Sequence, residues 1–392
     1  MPTAKRPCPI CSSSEAVKLH TQKFILPDGH PLSEGYDVVS CDQCGFVYAD
    51  TSVTQDEYDR FYSQFSKYED KKTGTGGIEN QWDRDRLTQT AKDIASFLNN
   101  DQASILDVGC ANGGLLKAMI DLGYDHVLGI DPSPICVANT QALGVRAQIG
   151  SLNKALEQEK FDCIILSHTL EHIQDLRTAA EWILAVSKPS STLYVEVPDA
   201  AHYKDFVDAP FQDFNTEHIN HFSITCLKNF LSFSGFKPLS WGEKIIPASS
   251  NKPYPAIFCF AKVDARITDI TKDEALPSSI ETYIQRSRKI LDEINTRIST
   301  ALTQNKRIIV WGTGQLVMKL LVETTLADAE VIAFVDNNPI NQGKIFRGVK
   351  ILAPNQIDHY SEPILISSTL HQQAIVEQIS EMGIKNPLIL LK

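Results

Sequence analysis

Between residues 84 and 242, apolar strand-like runs alternate with amphipathic helical runs, and this alternation restricts the fold more than any other feature of the chain. In order come the helix LTQTAKDIASFL, the strand SILDVGC, the helix GGLLKAMIDLGY, the strand HVLGIDPS, the helix PICVANTQALG, the short strand VRAQIG, the strand FDCIILSHTL, the helix RTAAEWILAVS and the strand STLYVEVPD. Strands separated by helices join one sheet through crossovers, which predicts an α/β fold with a parallel, doubly wound sheet. Such sheets take ligands at the carboxyl ends of their strands, near the point where strand order reverses. A shorter α/β run closes the chain, from RIIVWGTG to PLILLK, and it is not a sequence repeat of the first.

The remaining composition narrows the class. A chain of 392 residues is too long for one core of typical size, so two or three domains are expected. With 43% apolar and 22% charged residues, disordered and fibrous classes are excluded. The net charge of −11 argues against a nucleic-acid or anionic-membrane partner, both of which need a basic surface. No apolar run approaches the roughly 20 residues that span a bilayer. The N-terminal MPTAKRPCPIC lacks the apolar stretch of a secretory signal, so a soluble cytoplasmic protein is expected.

The nine cysteines fall into two groups. Cys8, Cys11, Cys41 and Cys44 form two C-x-x-C pairs, and in a reducing compartment two such knuckles supply the four thiolates of a closed, structural zinc site. The other five are scattered in apolar stretches, where a small buried hydrophobe suffices as an account. After the second knuckle, Tyr58, Phe61, Tyr62, Phe65 and Tyr68 recur at spacings of three and four, an aromatic stripe on one helical face. It serves either to pack the knuckle on the next domain or as a lid hinged at the glycines of KTGTGG.

The first glycine turn, Asp107-Val108-Gly109-Cys110-Ala111-Asn112-Gly113, follows a strand and opens a helix. It is D-x-G-x-x-x-G rather than the G-x-G-x-x-G that a pyrophosphate prefers. A ligand without phosphates needs only glycines that let the backbone approach closely, and S-adenosylmethionine is such a ligand. Asp131, at the end of the next strand and 24 residues after Asp107, is placed to accept from both ribose hydroxyls, with Pro132 beside it. Ser151 and Leu152, past the third strand end, would bracket an adenine. Cys110, Ala111 and Gly113 complete the expected cofactor wall, and His168 stands just past the fourth strand.

These segments, residues 106–114, 129–132 and 161–175, resemble the class I S-adenosylmethionine-dependent methyltransferases. The whole layout resembles one narrower family, the zinc-containing sugar C-methyltransferases, which act on nucleotide-linked deoxy-keto-sugars. The resemblance implies a central Rossmann-like methyltransferase domain (83–245), flanked by an N-terminal zinc-binding domain (1–82) and a C-terminal Rossmann-like α/β domain (246–392). It also implies that Glu217, His218, Tyr62 or Tyr68, and His172 surround the sugar, which would be carried on dTDP or GDP. Two positions depart from the family pattern. Asn215 stands where a Tyr is usual, and His221 where an aromatic is expected.

Carbon methylation needs a carbanion, and a sugar carbon is acidic enough only beside a ketone. The expected chemistry is proton removal from C3 of a 4-keto sugar by His218, with Glu217, Asn215 or a Tyr holding the enolate. Competing expectations are an O-methyltransferase acting on a sugar or small phenol, and an RNA-modifying enzyme that uses the zinc knuckle. The C-terminal Gly312-Thr313-Gly314 turn, with Asp336 at the next strand end, lacks the third glycine of a dinucleotide fingerprint, since Val317 stands there. A degenerate Rossmann-like lobe is expected rather than an NAD site.

Overall fold

A computed structural model describes residues 3–65, 75–152, 159–249, 252–267 and 269–392. Strands β1 (Ala16–Lys23), β2 (Gly35–Cys41) and β3 (Val47–Asp50) precede helix α1 (Gln55–Phe65). Helix α2 (Gln81–Phe97) leads into the central alternation of β4 (Ile105–Val108), α3 (Gly114–Asp121), β5 (Val127–Asp131), α4 (Pro134–Ala142), β6 (Ala147–Ile149), β7 (Phe161–Ser167), α5 (Leu176–Val186) and β8 (Ser187–Pro198). Then come β9 (Asn220–His221), α6 (Ile224–Phe233), and the hairpin of β10 (Phe236–Ser249) and β11 (Lys252–Val263). Helix α7 (Ala275–Gln304) precedes β12 (Arg307–Trp311), α8 (Gln315–Glu323), β13 (Glu330–Val335), β14 (Ile345–Phe346), β15 (Val349–Leu352), β16 (Ile364–Ile366), α9 (Gln372–Glu381) and β17 (Leu388–Ile389).

The central sheet has the order β10-β11-β8-β7-β4-β5-β6. From β8 to β6 every pairing is parallel, whereas β11 runs antiparallel to β8 and β10 antiparallel to β11. The four residues of β4 are all buried, as expected of a strand covered on both faces. One such layer packs Ala91 and Ile94 of α2 and Leu116 and Met119 of α3 against Ile105, Cys163 and Ile165. The chain winds from β4 through β5 to β6, then returns to place β7 on the other side of β4. Strand order therefore reverses at β4, and a crevice opens beyond its carboxyl end. Side-chain caps set several helix starts there: Ser133 accepts from the Cys136 N–H, Asp175 from Thr178, and Ser223 from Cys226.

The chain divides into two compact units. One comprises residues 1–19, 37–206 and 217–280; the other comprises 20–36, 207–216 and 281–392. The cysteine knuckles belong to the unit of the central sheet, and β11, beyond residue 245, pairs with β8 from Ala256 to Lys262. The second unit carries a sheet of order β14-β15-β13-β12-β16-β17 around Ile309, Trp311, Val335, Ile364 and Ile366. Its short segments are tied in by side chains. Buried Lys319 donates to Gln22 and Glu323 (both 2.9 Å) and lies 4.1 Å from the centre of the Phe211 ring, while Tyr36 donates to the Asn215 carbonyl (2.7 Å). Among the described residues no helix is long and apolar enough to cross a membrane.

Candidate functional site

A cavity of about 350 Å³ opens at the carboxyl ends of β4, β5 and β7, inside the unit of the central sheet. Its volume is in the range of a small-molecule site. Asp107, Gly109, Cys110, Ala111, Asp131, Pro132, Ser151, Leu152 and His168, the residues expected at a cofactor, all line it. Gly113 does not. It caps α3 in the left-handed conformation (φ 78°), and a Cβ there would come within 2.7 Å of the Thr140 side chain.

The turn between β4 and α3 is held from β5. The carboxylate of Asp131 accepts the Ala111 N–H (2.9 Å) through Oδ2 and the Ser133 N–H (2.8 Å) through Oδ1, which fixes its orientation at the cavity. Gly109 has φ 77°, and a Cβ there would meet the Thr169 hydroxyl at 2.9 Å. Burial, with Asp131 adding to it, pushes the Asp107 carboxyl up to about 7. Residues of the KTGTGG run and of α2 complete this wall. Gly76 (φ 80°) gives its carbonyl to the Gly114 N–H (2.8 Å) and its own N–H to Asp83 (2.6 Å), and Thr75, Trp82 and Arg86 also face the cavity. The Gly76-Gly77 pair was the available hint, because a Cβ on Gly76 would lie 2.8 Å from that of Ala111.

A buried ionic network underlies the cavity. His168, with φ 55°, bridges Glu196 (Nε2 to Oε1, 3.0 Å) and Glu171 (Nδ1 to Oε1, 3.3 Å). Burial opposes charge on His168, but the neighbouring carboxylates of Glu171 and Glu196 outweigh it and hold the imidazole up at about 9. Burial likewise opposes charge on Glu196, yet His168, Lys244 and Arg86 keep it well below the usual carboxylate range. Tyr194 donates to Glu196 (2.5 Å), and Lys244 pairs with the same oxygen.

The facing wall carries Tyr62, His172 and His218. The His172 and His218 rings meet edge to face with centroids 4.9 Å apart. His172 Nδ1 lies 2.9 Å from the Tyr62 hydroxyl and 3.0 Å from the Glu217 carbonyl. The segments bearing the two imidazoles are cross-linked: the Ile219 N–H donates to the Glu171 carbonyl (2.9 Å), and the Asn220 amide donates to the carbonyls of Leu170 (2.8 Å) and Ile173 (2.7 Å). Arg6 is buried behind them and donates to the Gln174 carbonyl (2.5 Å) and the Asn220 side chain (3.0 Å). Burial brings its pKa down to about 10, which leaves it cationic.

Other expected acceptor residues lie elsewhere. Glu217 is buried and offers its main-chain carbonyl to His172. Asn215 belongs to the second unit, where its amide donates to the Gln212 carbonyl (3.3 Å). His221 is wholly buried in β9, paired with Val47 and edge-on to the Tyr203 ring, and burial brings its pKa down to about 3. It does not line the cavity. Of the aromatic stripe, Tyr58 and Phe61 are buried and Tyr62 reaches the cavity; Tyr68 lies outside the described residues.

The four cysteines of the knuckles converge, their sulfurs all within 4.8 Å of one another. Cys8 and Cys44 are 3.5 Å apart, and Cys11 and Cys41 are 3.4 Å apart. Four thiolates bound at about 2.3 Å to one tetrahedral ion stand roughly 3.8 Å apart, so the set fits zinc closely. In the C-terminal turn, Gly312 has φ 106°, and Asp336 is engaged by its own loops, accepting the Thr313 N–H (3.0 Å) and the Asn338 N–H (2.8 Å).

Residues 82–240 match a family model described as a methyltransferase domain, and residues 304–390 match one described as C2185-like, N-terminal. The human mitochondrial ubiquinone biosynthesis O-methyltransferase is 31% identical over 102 residues, covering 23% of this chain and 27% of that protein. A tRNA U34 carboxymethyltransferase from Shewanella sp. (strain W3-18-1) is 29% identical over 126 residues, covering 27% and 37% respectively. The chain thus spans about a quarter to two fifths of the length of these curated relatives. A solved structure of a SAM-dependent methyltransferase from Methanosarcina mazei is 15% identical and covers 44% of this chain and 97% of that one, with a TM-score of 0.38. The family match, the strand order and the glycine turn agree, and residues 82–240 carry the class I S-adenosylmethionine-dependent methyltransferase fold.

Proposed function

We propose that this protein transfers a methyl group from S-adenosylmethionine to a carbon beside the ketone, C3, of a nucleotide-linked 4-keto-6-deoxy sugar. The observation that carries this reading is that one cavity joins the Gly109 turn and Asp131 to the imidazoles of His172 and His218. The bound cofactor supplies an electrophilic methyl on a sulfonium. Asp131 would accept from its ribose hydroxyls, Ser151 and Leu152 would flank the adenine, and Gly109 and Ala111 would admit its amino-acid end close to the backbone. On the acceptor side, an imidazole removes the proton next to the ketone and the polar wall holds the enolate. A positioned base supplies about 10²–10⁴-fold of the acceleration. Zinc on Cys8, Cys11, Cys41 and Cys44 is structural, because four sulfur ligands leave no open position.

The test is incubation with methyl-labelled S-adenosylmethionine and a panel of dTDP- and GDP-4-keto-6-deoxy sugars, followed by mass spectrometry and product NMR. A new C-methyl resonance beside the ketone is expected. A methoxy resonance would move the protein to the O-methyltransferases, and transfer to tRNA but not to any sugar would remove the sugar reading altogether.

A further inference from the structure

The partners of His172 determine which of its nitrogens carries a proton. A carbonyl oxygen only accepts, so the 3.0 Å contact with the Glu217 carbonyl requires Nδ1 to be the N–H. The same N–H then points at the Tyr62 oxygen, 2.9 Å away, as a second acceptor. In the neutral ring the lone pair therefore sits on Nε2. The neighbour of that nitrogen is Glu171, whose Oε1 lies 3.9 Å away. Glu171 is 1% exposed, and neither of its carboxylate oxygens has a hydrogen-bond partner among the described residues. Its closest cation is His168, at 3.3 Å. Both Glu171 and His172 line the cavity.

We infer that His172 Nε2, rather than His218, is the base that deprotonates the acceptor, with Tyr62 and the Glu217 carbonyl positioning the ring and Glu171 stabilising the imidazolium that forms. This assignment rests on the methyl-transfer reading and divides its labour. With a keto sugar, Nε2 takes the proton of the C–H bond, and that bond's electron pair becomes the C=C of the enolate as the carbonyl pair moves to oxygen. The enolate carbon then bonds to the methyl, the S–CH₃ pair returns to sulfur, and S-adenosylhomocysteine leaves. The proton on Nε2 passes to water before the next turnover. The arrangement is that of a base oriented by a hydrogen bond on its far nitrogen.

Two measurements test this. In ¹⁵N-histidine-labelled full-length protein, with the His172 signal identified by its loss in His172→Gln, the neutral ring is expected as the Nδ1–H tautomer; an Nε2–H tautomer overturns the inference whether or not any acceptor is found. Second, His172→Gln is expected to lower kcat, and solvent deuterium exchange at the carbon beside the ketone, by about 10²–10⁴-fold. Calorimetric affinity for S-adenosylhomocysteine should change less than threefold, and Tyr62→Phe should cost less than His172→Gln in the same assay. Exchange retained in His172→Gln but lost in His218→Asn also overturns it. If wild-type protein exchanges and methylates none of the sugars, the methyl-transfer reading fails on its own, and the tautomer still decides the orientation of His172.

Discussion

Asp131 shows how one side chain can both build and read a site. Its two oxygens hold the Ala111 and Ser133 N–H groups, so the glycine turn and the start of α4 are fixed by the carboxylate proposed to accept from a ribose. Asp131→Ala is expected to weaken S-adenosylmethionine binding roughly 10- to 100-fold by calorimetry, the scale of one or two lost charge-assisted hydrogen bonds. His168 acts differently, by neutralising Glu171 and Glu196. Its folded-state pKa of about 9 lies above its unfolded value, so its contribution to stability is full below pH 6.5 or so and is lost as pH rises through 9. His168→Gln should therefore lower stability near pH 6.5 by about 3 kcal/mol, the scale of a broken buried pair, and should flatten the decline of the denaturant midpoint between pH 7 and 9. Asp131 was legible in the sequence because it stands at a fixed interval from a glycine turn. The link between His168 and Glu196 was not, because 28 residues separate them and only the parallel pairing of β7 with β8 brings Ser167 level with Glu196. Asn215 and His221 were misplaced for a related reason: proximity in sequence to His218 does not fix which unit or which face of β9 a residue takes.

At the scale of elements, the alternation of strand and helix from β4 to β8 follows directly from buried apolar runs and capped helix starts. Gly113 marks one such start. With φ 78° and Thr140 at contact distance, Gly113→Ala should destabilise the protein by about 2 kcal/mol, read as a lower urea midpoint with an unchanged slope. Gly123, also at positive φ but with nothing within 4 Å, serves as the comparison: Ala there pays only the backbone strain. The β10–β11 hairpin lies beyond STLYVEVPD, the last strand read from the sequence in the central alternation. An antiparallel hairpin carries its turn signal locally, whereas its docking beside β8 depends on edge pairing between Ala256–Lys262 and Thr192–Pro198, which no local pattern encodes.

At the scale of the whole molecule, the cysteine cluster and the methyltransferase sheet share a unit, and Arg6, two residues before Cys8, reaches the segments that carry the imidazoles. Metal analysis of purified protein should find one zinc per chain, and Cys41→Ser should abolish it. Because binding of a structural metal contributes to folding, stripping the ion should lower the thermal midpoint and impair methyl transfer together, with both restored by added zinc. The second unit has a consequence of another kind, in the timing of synthesis. Its first piece, residues 20–36, is made about 245 residues before its main body begins at 281. At about 5–20 residues per second that is a wait of roughly 10–50 s. Through that interval Gln22, the acceptor for the Lys319 ammonium, waits for its donor, so this unit can close only after the last third of the chain has been made.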